Sequence, residues 1–263
     1  AIGYKAANLL DAAMDLICSY WSELLSGCET SSDLPHISNA VGQIHEMVER
    51  LISSEGVASF AKEHRVSINT VLETAFAMLL KGNSTVLFGK MVSGRNAPLS
   101  GIEEIVGPFV NLVPVYVKSN GDLLSQIHEQ SIMANEFGFT PLAELYAHTD
   151  LRRINILFIF ENYPSVSAIP LIDYKEENEF DLTVSIRETE CGYLIRASYA
   201  PEKYERSVIE EMISNFDVSL RQLLSDTDIP DAQQMHTSLC YEAPIGEIES
   251  SICKLFEQVI GAE

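Results

Sequence analysis

A chain of 263 residues that is 46% hydrophobic has ample material to bury a core, as one large domain or as one domain with an appendage. Its 38 acidic and 17 basic side chains leave a net charge of −21, which argues against nucleic acid and against an anionic membrane surface as partners. No apolar run approaches the roughly 18 residues that span a bilayer, and nothing at the N-terminus has the basic flank and apolar core of a secretion signal. The five cysteines (Cys18, Cys28, Cys191, Cys240 and Cys253) are odd in number and form no C-x-x-C pair. Free, mostly buried thiols in a reduced cytoplasm are the simplest account. The six histidines are scattered without ligand spacing, so no metal site is expected.

Ala7 to Leu25 is helical in pattern: Leu9, Leu10, Ala13, Ile17, Tyr20, Trp21 and Leu24 recur every three to four residues, and Gly27 ends the run. Trp21 reads as a core or interface anchor. Residues 29–39 are polar and loop-like, and 42–52 fits a strand or a helix equally by periodicity. Ser53 or Ser54 is expected to cap a helix carrying Val57, Phe60, Ala61 and His64 on one side, with His64 near its negative pole. Ser67 caps the clearest helix, in which Ile68, Val71, Leu72, Ala75, Phe76, Leu79 and Leu80 hold helical spacing up to Gly82.

Thr85 to Val92 is an apolar run of strand length. Ser93, Gly94, Arg95, Asn96 and Pro98 follow as turn formers, and Ile102, Ile105 and Val106 fall on one face of a short helical turn stopped by Gly107-Pro108. Phe109 to Val117 is almost wholly apolar, as in a strand covered on both faces. Two residues stand out there. Asn111 needs a hydrogen-bond partner if buried, and Pro114 implies a sheet edge or a bulge.

Gly121-Asp122 then opens a helix over 123–137, and Thr140-Pro141 a short one over 142–146, with the threonine at the cap and the proline in the first turn. Ile154 to Phe160 is an apolar strand ending at Glu161-Asn162-Tyr163-Pro164. Phe180 to Arg187 alternates, with Phe180, Leu182, Val184 and Ile186 inward and Asp181, Thr183, Ser185 and Arg187 outward. It turns at Cys191-Gly192 and returns over 193–199 as a hairpin. Pro201 opens an amphipathic helix to Leu224, residues 226–238 read as a linker, and a new helical stripe runs from Tyr241 to Ile260.

The phrase SGR followed by GIEEIVGPFVNLVPV resembles the floor-loop region and following motif of nonribosomal peptide synthetase condensation domains. YWSELLSG with a polar linker and DLP, VSINTVLETAFAMLL, LFIFENYP and the FDL containing Asp181 are similar to further phrases of that family. The resemblance favours a strand at 42–52. It implies an α/β fold: one lobe, the second, of the two-lobed chloramphenicol-acetyltransferase-like architecture, with a mixed β-sheet flanked by helices. It divides the chain into a C-terminal condensation lobe (1–232), a linker (233–240) and the beginning of a peptidyl carrier domain (241–263).

The floor-loop and substrate-channel residues implied are Ser93, Gly94, Arg95, Gly107, Phe109, Asn111 and Asn162. The family's HHxxxDG motif belongs to the first lobe and does not occur in this sequence, so no catalytic residue is assigned. Implied partners are donor and acceptor carrier domains, the N-terminal condensation lobe and a neighbouring adenylation domain. Phosphopantetheine is expected on the carriers, with no cofactor bound directly. A non-catalytic carrier-docking module, or an epimerising or cyclising relative of the same superfamily, is the alternative.

Overall fold

Among the described residues, six strands rich in β-branched and aromatic residues hydrogen-bond into one mixed sheet: β1 (Glu46–Ile52), β2 (Val86–Val92), β3 (Asn111–Val117), β4 (Ile156–Glu161), β5 (Leu182–Thr189) and β6 (Gly192–Tyr199). Their order across the sheet is β1-β6-β5-β4-β2-β3. β2, β4 and β5 run parallel; the other neighbours are antiparallel. The computed structural model describes residues 16–28, 34, 45–81, 85–95, 101–118, 121–161 and 180–225. The linker and the stripe at 241–260 lie outside them. Helices are α1 (residues 16–24), α2 (Val57–His64), α3 (Ile68–Lys81), α4 (Leu123–Phe137), α5 (Leu142–His148) and α6 (Arg206–Ser225). The α/β class and the mixed sheet flanked by helices are therefore as expected, and 46–52 is a strand.

The pleat sends alternate side chains to opposite faces, and each face has its own core. On one, Val86 and Phe88 of β2, Val115 and Val117 of β3, Ile156 and Phe158 of β4, and Leu182, Val184 and Ile186 of β5 meet α2, α3 and α6. α3 is the centre of this layer. Its residues Val71 to Ala77 are all buried, as in a helix enclosed on all sides. Its start is capped as expected, with the Ser67 hydroxyl accepting from the Thr70 amide at 3.0 Å. Phe76 packs against Phe88 and Phe158, ring centroids 5.2 Å away in each case; such pairs add about 0.5–1.5 kcal/mol beyond burial. The second core joins Ile17 and Trp21 of α1 and Leu25 just after it with Leu87, Tyr116, Leu145, Leu151 and Ile154.

β3 is an edge strand, which explains Pro114. Gln130 of α4 accepts from the Tyr116 amide at 3.0 Å and donates to the Tyr116 carbonyl at 2.9 Å. One turn earlier, Gln126 does the same for Lys118. Backbone groups of residues 116 and 118 thus point away from β2, and by period two so do those of Pro114. The missing N–H costs the ladder nothing. α4 covers the edge with side-chain amides that stand in for a further strand.

Several local expectations are corrected. α2 is capped by Gly56 at φ 82°, not by a serine side chain; the Ser53 hydroxyl instead accepts from the Glu55 amide. α6 begins at Arg206, after a turn over 201–204, rather than at Pro201. Pro141, not Thr140, is the cap residue of α5. β3 starts at Asn111, two residues after Phe109. Phe180 precedes β5 and packs on the second core, apart from Leu182, Val184 and Ile186. Asp181, expected on a solvated face, is only 4% exposed. Its carboxylate meets Lys203 at 2.8 Å and Arg153 at 3.5 Å. The turn before α6 folds back over the start of β5, with the Ala200 amide donating to the Asp181 carbonyl at 3.0 Å.

Candidate functional site

Val92 pairs with Asn111 across the β2–β3 ladder, so the connection between the two strands begins at Ser93 and ends at Val110. Gly94 makes its first bend at φ 66°. A Cβ there would collide with the Phe109 carbonyl oxygen, so only glycine lets the two ends of the loop touch. Gly107, which with Pro108 stops the turn, has no positive φ, and the nearest atom to an added Cβ is 3.9 Å away on Phe109. The constraint lies at Gly94.

Arg95 ties the loop together. Its Nη1 donates to the carbonyls of Ile102 (2.6 Å) and Ile105 (3.3 Å), and its Nη2 to that of Gly107 (3.4 Å). Its guanidinium lies 4.6 Å from the centroid of the Phe109 ring. A planar cation with five donors suits three carbonyls and an aromatic face at once; lysine does not. The Ser93 hydroxyl accepts from the Arg95 amide at 3.4 Å. The turn itself is a short 3₁₀ helix, Ile102–Glu104, with Ile102 buried. Ile105 and Val106 do not share its face: they are 40% and 99% exposed, and Val110 is 53% exposed.

Asn111 anchors the other end. Its Nδ2 donates to the carbonyls of Gly138 (2.7 Å) and Thr140 (2.9 Å), which satisfies the amide expected to need a partner. The Thr140 hydroxyl donates to the Phe137 carbonyl at 2.8 Å and accepts from the Trp21 indole at 3.3 Å. Tyr20 stacks edge-on against Trp21 at 5.0 Å and tilts over Phe137 at 5.3 Å. The aromatic pair of α1, the α4–α5 turn and the start of β3 thus form one support for the loop.

The structure brings together Ser93, Gly94, Arg95, Gly107, Phe109 and Asn111. Asn162 lies outside the described residues. The loop offers a shaped wall with carbonyls and a guanidinium. Three of the described histidines serve elsewhere: His64 is buried and stacked on Phe60 at 4.0 Å, His148 pairs with Glu144 on α5, and His45 contacts the Phe180 carbonyl at 2.9 Å. Among the described residues no His/Cys/Asp/Glu group is placed to hold a metal ion, and no helix is long and apolar enough to cross a membrane.

Two buried ion pairs escaped the sequence reading. Asp181–Lys203 is one. The other joins Lys90, inside the apolar run of β2, to Glu73 of α3 at 3.2 Å. No periodicity reveals either partner, because each pair joins elements brought side by side by the fold. Burial and nearby carboxylates push two further groups upward. Tyr199, whose hydroxyl donates to Glu46 at 2.8 Å, rises to about 12, and Cys28, near Asp150, to about 11.

The family model described as Condensation domain matches residues 12–239. Bacitracin synthase 1 of Bacillus licheniformis is 33% identical over 161 residues, 55% of this chain and 3% of that protein. A four-domain nonribosomal peptide synthetase, crystallised with AMP and glycine, shares the fold at a TM-score of 0.70 and 13% identity, covering 84% of this chain and 20% of that one. The epimerization domain from the third module of tyrocidine synthetase B does so at a TM-score of 0.61 and 17% identity, covering 80% and 56%. The chain spans 3% to 18% of the length of eight curated synthases that it matches.

Proposed function

This chain belongs to the condensation domain family, and we propose that it is the C-terminal lobe of a nonribosomal peptide synthetase condensation domain. In this reading it contributes the floor loop and one channel wall to amide-bond formation between a carrier-bound acyl or peptidyl thioester and an aminoacyl acceptor. Ser93, Gly94, Arg95, Gly107, Phe109 and Asn111 would form the loop, with Asn162 assigned to the channel from sequence alone. The lobe would occupy residues 1–232, a linker 233–240, and the beginning of a carrier domain 241–263. Donor and acceptor carriers, bearing phosphopantetheine, would be its partners, beside the N-terminal lobe and an adenylation domain.

One observation carries the reading. The loop is fastened from within by Arg95 while Ile105, Val106 and Val110 are turned outward. A loop held rigid with its apolar side chains in water is built to be covered. The N-terminal lobe of the same domain is the cover proposed. The chain's residues then act by position: a fixed floor holds the amine and thioester in register, the kind of orientation that lowers a bimolecular barrier. Acid–base help would come from the HHxxxDG lobe.

Hydrogen exchange tests this. In a longer polypeptide that includes the upstream lobe, amides over 101–111 should exchange at least tenfold more slowly than in the 263-residue chain. Equal exchange in the two proteins would show that the loop is not covered by that lobe.

A further inference from the structure

Beyond the carboxyl ends of the parallel strands β2, β4 and β5 lies a cavity of about 320 Å³. In open α/β sheets ligands bind in the crevice outside these strand ends. Ile68, Met91, Phe158 and Phe160 give it apolar walls. Phe158 is held from behind by Phe76 at 5.2 Å and Phe88 at 6.2 Å, so this wall is fixed.

The polar side of the cavity is the Lys90–Glu73 pair, 5% and 1% exposed. Lys90 Nζ donates to Glu73 Oε2 at 3.2 Å and to Ser131 Oγ at 2.9 Å. Asn69 Nδ2 donates to the second carboxylate oxygen, Oε1, at 3.1 Å. That contact fixes the orientation of the Asn69 amide, because its oxygen cannot face a carboxylate. Asn69 Oδ1 is shielded from solvent and has no hydrogen-bond partner among the described residues.

The pair is neutral as a unit, so the site lacks hydrogen bonds rather than charge. An ammonium has three donors and Lys90 uses two in these contacts. Asn69 Oδ1 is a free acceptor beside the same carboxylate. A ligand carboxylate would satisfy Lys90 but oppose Asn69 Oδ1, Glu73 and Glu188, which also lines the cavity. A ligand ammonium would satisfy Asn69 but oppose Lys90, and Glu188, which is exposed to solvent, would attract it only through a screened contact. An amide offers a carbonyl to the first and an N–H to the second.

We propose that this cavity binds a neutral carboxamide group carried on a short apolar stem. The inference goes beyond the condensation reading and does not rest on it.

The test uses the whole chain, methyl- and amide-labelled for NMR, with butyramide as the probe and butyrate and butylammonium as isosteres. Butyramide should shift the Ile68 and Met91 methyls and the Asn69 side-chain amide saturably, and bind at least about tenfold more tightly than either isostere. Asn69→Ala removes the free acceptor, leaves the ion pair in place and suits a helix; it should weaken butyramide binding about tenfold. Equal binding of the three probes, shifts scattered over the surface without saturation, or butyramide binding unchanged in Asn69→Ala would each overturn the proposal.

Discussion

Replacing Gly94 by alanine puts two costs on one residue. A side chain at φ 66° costs about 1–2 kcal/mol in an L-residue. The new Cβ also collides with the Phe109 carbonyl oxygen, which is main chain and cannot swing aside like a side chain. The two ends of the loop must therefore separate, and Arg95 loses part of its hold on the Ile102, Ile105 and Gly107 carbonyls. Hydrogen bonds from a charged group contribute about 1.5–3 kcal/mol each when formed well, less for the two longer and more exposed ones here. A total of about 2–4 kcal/mol follows, or about 5–15 °C in Tm for a protein of this size. Gly107→Ala is the control: its φ is not positive and its surroundings are open, so its Tm should stay within about 2 °C of the parent's. Calorimetry of both variants and the parent in one buffer decides it. Equal melting of Gly94→Ala and the parent, or a larger loss at Gly107, would refute the assigned loop geometry.

Asp181→Ala leaves Lys203 buried without its nearest carboxylate and should cost about 3–5 kcal/mol in denaturant unfolding, whereas the double change Asp181→Leu with Lys203→Met should recover most of it. Tyr199, with its ionisation raised from 10 to about 12, favours the folded state fully below pH 10. That contribution should fall away between pH 10 and 12, and Tyr199→Phe should flatten this part of the stability–pH curve. Iodoacetamide at pH 8 should modify exposed Cys191 well before buried Cys28, whose thiol is pushed up to about 11, as read by peptide mass mapping.

Where a signal is local, the sequence announces the structure. Ser67 ahead of an apolar stripe becomes the cap of α3, alternation either side of Cys191-Gly192 becomes the β5–β6 hairpin, and Pro114 marks an edge. Alternation, however, assigns a residue to a face without saying what covers that face. Asp181 is buried because a turn twenty residues later folds over it with Lys203. Gly107 attracted notice through its neighbour in sequence, Pro108, whereas the constraint on Gly94 comes from Phe109, across the loop. Lys90 sits in a strand-like apolar run, and only the packing of α3 and α4 shows its partners Glu73 and Ser131. Gln126 and Gln130 carry no local signal of their own, yet they complete the β3 edge. The family motif was legible because its residues are contiguous; the support running from Trp21 through Thr140 to Asn111 joins three distant segments and was not.

Single-turnover amide formation between loaded donor and acceptor carriers tests the central claim most directly. A polypeptide joining the upstream HHxxxDG lobe to this chain should form the product, and Val106→Asp should slow it at least about tenfold by placing a charge where the other lobe is proposed to sit. The 263-residue chain alone should form none above background, since acid–base help of about 10²–10⁴-fold would be missing along with half of the channel. Product from the chain alone at the rate of the joined polypeptide, or full activity in Val106→Asp, would contradict the account.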